Sequence, residues 1–220
     1  GRVIVGQDGM PTANPNLTQF GRTQPTDIFG INLSATWKDF SFSAVAEYRG
    51  GNQMVADDLG GFLDDNGISE RSGQFGRRAF IFPNSVVETS PGKYDPNTSL
   101  YTQSYGREFW NSTLNTDVET NYLASGAFWK IREIAINYNV PKKVYKWNAI
   151  KGLSIGVSGR NLFMFLPKSN QWTDPEFSST GSTATIGNPT AAFSGNAQGR
   201  STANNLPPTR IFGASISVQF

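Results

Sequence analysis

The chain has 220 residues, 37% hydrophobic, 13% aromatic and only 16% charged, with a formal net charge of +2. That aromatic share and near-balanced charge exclude a disordered chain, and an abundance of Gly, Asn, Ser and Thr suits strands joined by turns rather than a helical enzyme. Cysteine and histidine are both absent, which removes disulfides, thiolate and imidazole metal sites, and Ser-His-Asp or Cys-His catalysis. No catalytic residue, cofactor or metal site is expected, and no Lys/Arg run gives a nucleic-acid footprint. No stretch approaches the ~20 apolar residues of a membrane helix. A mean hydropathy of -0.38 leaves transmembrane strands open, because half of their residues face a polar lumen. Gly1–Val5 has neither the apolar core nor the cleavage pattern of a signal peptide, so either a signal was removed or the chain begins within a longer protein.

Residues 1–26 read as loop, broken by Pro11, Pro15 and Pro25. Phe29, Ile31, Leu33, Ala35 and Trp37 then alternate with Gly30, Asn32, Ser34, Thr36 and Lys38 in strict period two. Lys38-Asp39 makes a tight turn. Phe40, Phe42, Ala44, Ala46 and Tyr48 alternate with Ser41, Ser43, Val45, Glu47 and Arg49, which completes a hairpin with one apolar and one mostly polar face. Each arm has roughly the ten residues that cross a bilayer at a tilt. The aromatic residues Phe29, Trp37, Phe40 and Tyr48 stand at the strand ends, where interfacial girdles belong. Residues from Gly51 to about Arg78 read as a solvated glycine-rich loop; its carboxylates do not match the spacing of a calcium loop. Phe80-Ile81-Phe82-Pro83 is a short apolar run, and 84–120 again reads as loop.

A long strand is predicted over about Ala127–Val140, with Ile134, Ile136, Tyr138 and Val140 on one face. Lys130 and Arg132 share that parity and do not fit lipid, which points to a strand end projecting beyond the bilayer. Another strand covers about Leu153–Phe163. A Ser/Thr/Gly/Asn loop runs over 167–206, and Pro207-Pro208 closes it. The last strand carries Phe212, Ala214, Ile216, Val218 and Phe220 on one face. Tight connections alternating with very long ones form the pattern of an outer-membrane barrel. The expected fold is therefore all-β: C-terminal antiparallel strands of a large transmembrane β-barrel with long extracellular loops. Phe29, Ile31, Leu33, Ala35, Phe40, Phe42, Ala44, Ala46, Ile216 and Val218 are the expected membrane-facing residues. Asn32, Ser34, Thr36, Ser43, Glu47, Ser154, Ser158 and Arg160 are the inward candidates.

Several segments together resemble the C-terminal region of the SusC/RagA family of TonB-dependent outer-membrane transporters. They are Ala127-Phe128-Trp129-Lys130-Ile131-Arg132-Glu133-Ile134, Tyr138-Asn139-Val140-Pro141-Lys142, Gly159-Arg160-Asn161-Leu162-Phe163, Thr173-Asp174-Pro175-Glu176-Phe177, and Pro207-Pro208-Thr209-Arg210 before the closing strand. Arg78-Ala79-Phe80-Ile81-Phe82-Pro83-Asn84-Ser85-Val86 and the hairpin ending Tyr48-Arg49-Gly50-Gly51 are similar too. The resemblance implies a plug domain and a barrel of roughly 22 strands, whereas this chain has room for about six to eight at ~10 residues each. Residues 1–220 are then the C-terminal part of such a barrel, with the plug and earlier strands outside the chain. A fragment, a cleaved piece and a split subunit remain alternatives.

The resemblance further implies uptake of oligosaccharides or peptides at the outer membrane of a Gram-negative bacterium. The implied partners are the remainder of the barrel and plug, a SusD-like surface lipoprotein acting as a lid, TonB acting through the plug, and outer-membrane lipid. The readings from other classes are a small self-contained outer-membrane barrel with a structural or adhesive role, and a surface β-rich binding module. Asn170, Trp172, Asp174, Glu176 and Phe177, with Arg160, are the candidate ligand contacts, since an exposed indole beside carboxylates and an amide fits sugar or peptide recognition; packing of Trp172 and Phe177 against the rim or lid is the alternative. Asp174 and Glu176 lack the buried cleft that a glycosidase pair needs. Phe220, in phase with the apolar face, is the expected assembly signal, either alongside or instead of a girdle role.

Overall fold

The structure, a computed structural model, describes residues 1–16, 18–102, 106–116, 118–145, 147–177, 199–201 and 208–220, and of residues 106, 107, 113, 114 and 177 the backbone alone. In chain order the strands are β1 (Val3–Val5), β2 (Asp27–Trp37), β3 (Phe40–Gly50), β4 (Gln53–Val55) and β5 (Ser85–Ser90), then β6 (Lys93–Pro96), β7 (Leu123–Ser125), β8 (Phe128–Asn139), β9 (Gly152–Phe165) and β10 (Ile211–Gln219). The helices are short: α1 (Asp57–Asp65), α2 (Glu70–Gly73), α3 (Gly106–Asn111) and α4 (Thr113–Thr116). The fold is all-β in class, and pairing within its large sheet is antiparallel throughout. Two compact units are present, one of residues 1–23, 53–124 and 171–205, the other of 24–52, 125–170 and 206–220.

The second unit is a five-stranded sheet in the order β10-β9-β8-β3-β2. β2 and β3 pair over their whole length from Asp27↔Gly50 to Trp37↔Phe40, so the Lys38-Asp39 hairpin forms as alternation predicts. β2 and β10 are the two edges and do not pair with each other. Among the described residues five long strands build this sheet, against the six to eight expected for the chain, because much of the intervening chain folds otherwise.

The first unit is built from those long connections, and it corrects three expectations of loop. Residues 51–78 contain α1 and α2, residues 84–120 contain β5, β6, α3 and α4, and β1 lies within 1–26, where it pairs in parallel with β5. Packing supplies what local propensity lacks. Met10, Phe80, Phe109 and Trp110 form one buried cluster with Phe82 against it, and the Phe80 and Phe109 rings meet edge to face at 5.2 Å. Met54, Ala56 and Ala124 form another with Trp172 packed on it. Gly60, inside α1, sits under the ring of Tyr122; a Cβ there would lie 2.4 Å from Tyr122 Cδ1. A residue that weakens a helix by ~1 kcal/mol is thus what lets this helix pack. Ser69 caps α2 by accepting from the Ser72 N–H at 3.2 Å.

Candidate functional site: the two faces of the sheet

Paired residues in a sheet point to the same side, so the register assigns the faces. Phe29, Ile31, Leu33 and Ala35 of β2 pair with Tyr48, Ala46, Ala44 and Phe42 of β3, and Phe40 pairs with Tyr138 of β8. The same face continues through Ile134 and Ile136 of β8 and Ile155 and Val157 of β9 to Ile216, Ala214 and Val218 of β10. All ten residues named from alternation therefore share one face. That face is open: Leu33 is 59% exposed and Ile216 72%.

Two aromatic ladders bound this face. At the tight-turn end, Trp37, Phe40 and Tyr138 stack across β2, β3 and β8, with ring centroids 6.5 and 4.5 Å apart. At the other end Phe29 stacks on Tyr48 at 5.8 Å, and Tyr48 meets Trp129 in a tilted contact at 5.0 Å. Phe40 and Tyr48 are eight residues apart on β3. At ~3.4 Å per residue and a tilt of ~40° this gives a height of about 21 Å between ladders, close to the ~25 Å apolar band of a transmembrane barrel.

The opposite face is polar and zoned. Toward the tight turns it carries Ser34, Thr36, Ser41, Ser43, Asn137, Asn139, Ser154 and Ser217, all neutral. Toward the other end it carries a charged band. Glu47 accepts from Arg49 Nε at 2.5 Å and from Arg132 Nε at 2.8 Å, and Arg160 Nε donates to Glu133 at 3.0 Å. The ring of Phe128, 3% exposed, has Lys130 Nζ at 4.9 Å and the guanidinium groups of Arg49 and Arg132 at 5.9 Å each.

This band corrects the assignment of Lys130 and Arg132 to the face of Ile134. Glu133 pairs with Val45 and Ile131 with Ala46, so Arg132 is an extra residue on β8. The bulge flips the phase of alternation. Trp129 and Ile131 join the apolar face with Ile134, while Lys130 turns with its partner Glu47 to the polar face. On the neighbouring strand Asn161 has a positive φ of 52°, a conformation that Asn tolerates better than most residues. The misfit of two cations with an apolar parity was the signal in the sequence for the bulge.

The candidate ligand contacts do not come together as one exposed group. Arg160 stands on β9 with its side chain 62% exposed. Asn170 is buried, and its backbone N–H donates to the Pro167 carbonyl at 3.0 Å. Trp172 is half-buried rather than free: it packs on the Met54 cluster, with its ring 6.0 Å from Tyr122 and 5.0 Å from the Arg71 guanidinium. Asp174, 3% exposed, accepts from the Glu176 N–H at 3.0 Å in the turn Pro175–Phe177. The side chain of Phe177 and most of the predicted loop 167–206, with Pro207, lie outside the described residues. Phe220 lies one residue past β10 and is 75% exposed.

Sequence reasoning missed the centre of the first unit. Asp64 is fully buried and takes a bidentate pair from Arg71, whose guanidinium lies 5.4, 4.6 and 5.0 Å from the rings of Trp110, Tyr122 and Trp172. Nothing in the local pattern marks these residues, which converge from distant segments. Among the described residues no three His, Cys, Asp or Glu are grouped to hold a metal ion, and no helix is long and apolar enough to cross a membrane.

No family model and no curated protein matches the chain. Among solved structures it is similar to the RagAB peptide importer in the open-open state, at 18% identity and a TM-score of 0.46, over 76% of this chain and 17% of that one. It is also similar to the closed-closed state of that importer, at 16% identity and 0.40, over 69% and 15%. A further structure of the RagAB peptide transporter matches at 18% and 0.41, over 77% and 17%. The chain thus spans less than a fifth of the length of the solved chains it matches.

Proposed function

We propose that this chain forms part of the wall of an outer-membrane β-barrel that imports nutrients, with oligosaccharides or peptides as cargo. The observation that carries the reading is the exposed apolar face bounded at both ends by an aromatic ladder, backed by a polar face. In water such a face would be costly; in a bilayer it meets hydrocarbon, and the polar face meets a hydrated lumen. In this reading the ten apolar residues named above contact lipid. The remainder of the barrel pairs with β2 and β10, a plug carried on it engages TonB, and a SusD-like lipoprotein closes the outer mouth. The exposed guanidinium of Arg160 is the group best placed to meet cargo; Trp172 and Asp174 would first leave their packing. Phe220, exposed and in phase with the apolar face, serves in recognition by the assembly machinery, so its deletion lowers the amount of inserted protein.

The chain has no cysteine, so single-cysteine labelling tests the wall directly. Leu33→Cys and Ile216→Cys in cell envelopes should react with a lipid-soluble maleimide and resist a charged one, and Ser34→Cys and Ser215→Cys should do the opposite. Equal reaction of all four with the charged reagent would remove the membrane reading. Loss of growth on an oligosaccharide or peptide source when the gene is deleted tests import, and co-purification of a surface lipoprotein tests the lid.

A further inference from the structure

The tight-turn end of the sheet is strongly basic. The segment Pro141–Lys151 holds Lys142, Lys143, Lys146 and Lys151 and no acid, and the Lys38-Asp39 turn adds one charge of each sign. Elsewhere acids outnumber bases, so the positive net charge of the chain comes from this end alone. The two connections meet there: Asn139 donates its N–H to the Asp39 carbonyl at 2.8 Å.

Lys142, Lys143 and Lys151 are exposed, and Lys142 and Lys151 border one open depression with Tyr145, Asn139 and Ser217. Large apolar groups stand among them in the open: Trp147 is 71% exposed and Trp37 67%, with Lys38 Nζ 4.7 Å above the Trp37 ring. Exposed indoles beside ammonium groups fit the boundary layer of a bilayer. There the ring rests at headgroup level and the lysine reaches phosphate. The Trp37-Phe40-Tyr138 ladder belongs to the same end, so the layer next to it in the membrane reading is the headgroup layer.

We propose that this end binds the anionic phospholipid headgroups of the leaflet it borders, through Lys142, Lys143 and Lys151 with Trp147 beside them. The inference rests on the reading of the sheet as a transmembrane wall. Charge complementarity selects the occupant: clustered lysines beside a membrane favour anionic over neutral lipid, with each contributing roughly a fivefold preference.

The protein purified from its own membrane is reconstituted into vesicles of phosphatidylcholine alone, or mixed with phosphatidylglycerol. Protease protection reads insertion, and native mass spectrometry of extracted protein reads the lipid retained. The expected result is insertion in both vesicles, preferential retention of phosphatidylglycerol, and loss of that preference at high salt. The triple variant Lys142→Gln, Lys143→Gln, Lys151→Gln should insert into neutral vesicles yet lose the preference. Lys168→Gln, beyond the other end of β9, should keep it. Insertion with equal retention of both lipids, or a triple variant as selective as the parent, overturns the inference and leaves the wall intact. Failure to insert into either vesicle overturns both.

Discussion

Tyr122 is fully buried, and its hydroxyl accepts from Asn115 Nδ2 at 3.1 Å. Burial, and after it the negative charge of Asp64, raises its pKa well above the usual tyrosine value. Tyrosine in the unfolded chain loses its proton near pH ~10, whereas the folded chain holds it. The contribution of Tyr122 is therefore complete below that pH and is lost as pH rises toward the folded value. A phenolate absorbance titration should show one tyrosine ionising only on alkaline unfolding, and Tyr122→Phe should remove that late step; a late step persisting in the variant would assign it elsewhere. Arg71 gives the companion prediction. Arg71→Ala strands the buried Asp64 carboxylate and should cost about 3 kcal/mol in denaturant unfolding, the low end for a broken buried pair, because Ser69 Oγ still donates to Asp64 at 2.5 Å. Gly60→Ala pushes a methyl group into the Tyr122 ring and should cost about 1–3 kcal/mol. An unchanged midpoint would mean that the helix slides away from the ring.

A strand exposes its logic through parity, and β3 is the clearest test. Ala44 is near its middle on the apolar face and Ser43 is its neighbour on the polar one. Ala44→Arg should lower stability in the bilayer by about 2–4 kcal/mol, read as the urea midpoint of gel mobility, while Ser43→Arg should be nearly silent. Equal effects would mean that the two faces have the same solvent. β8 shows what parity leaves out. Deleting Arg132 removes the bulge and leaves Lys130, Trp129 and Phe128 on their present faces, because Ile131 then alternates directly with Glu133 and Ile134. Such a variant should reach the membrane in normal amount, as should Arg132→Ala, which keeps the bulge and loses the Glu47 pair and the contact with the Phe128 ring; failure of the deletion variant alone would mean that the bulge itself is needed.

At the scale of the whole molecule the open edges decide between a wall segment and a sealed small barrel. Unpaired backbone groups are not tolerated in hydrocarbon, so in the proposed membrane wall β2 and β10 need partners. A cysteine pair at Asn32 and Val45, in register on β2 and β3, should crosslink under mild oxidation in membranes, while a pair at Asn32 and Ser215, on the two edges, should not. Crosslinking of the second pair would show that β2 closes on β10 and would support the self-contained barrel instead.

Alternation along the chain was enough to place the hairpin over 27–50, the other long strands and the apolar face outside residues 128–132. These follow from the pleat, a local property in which side chains alternate whatever the neighbour. The tertiary structure alone decided the rest. The bulge at Arg132 is defined by the register of β3: the sequence of β8 shows the misfit of Lys130 and Arg132, and only the pairing shows which residue is extra. The helices of 51–78 depend on contacts such as Gly60 with Tyr122, far apart in the chain, and short helices with paired glycines do not hold by propensity. For the same reason Trp172, read from its neighbours as an exposed ligand contact, is half-buried against Met54, Ala56 and Ala124. Burial is set by what the distant chain brings, and only the folded molecule shows what that is.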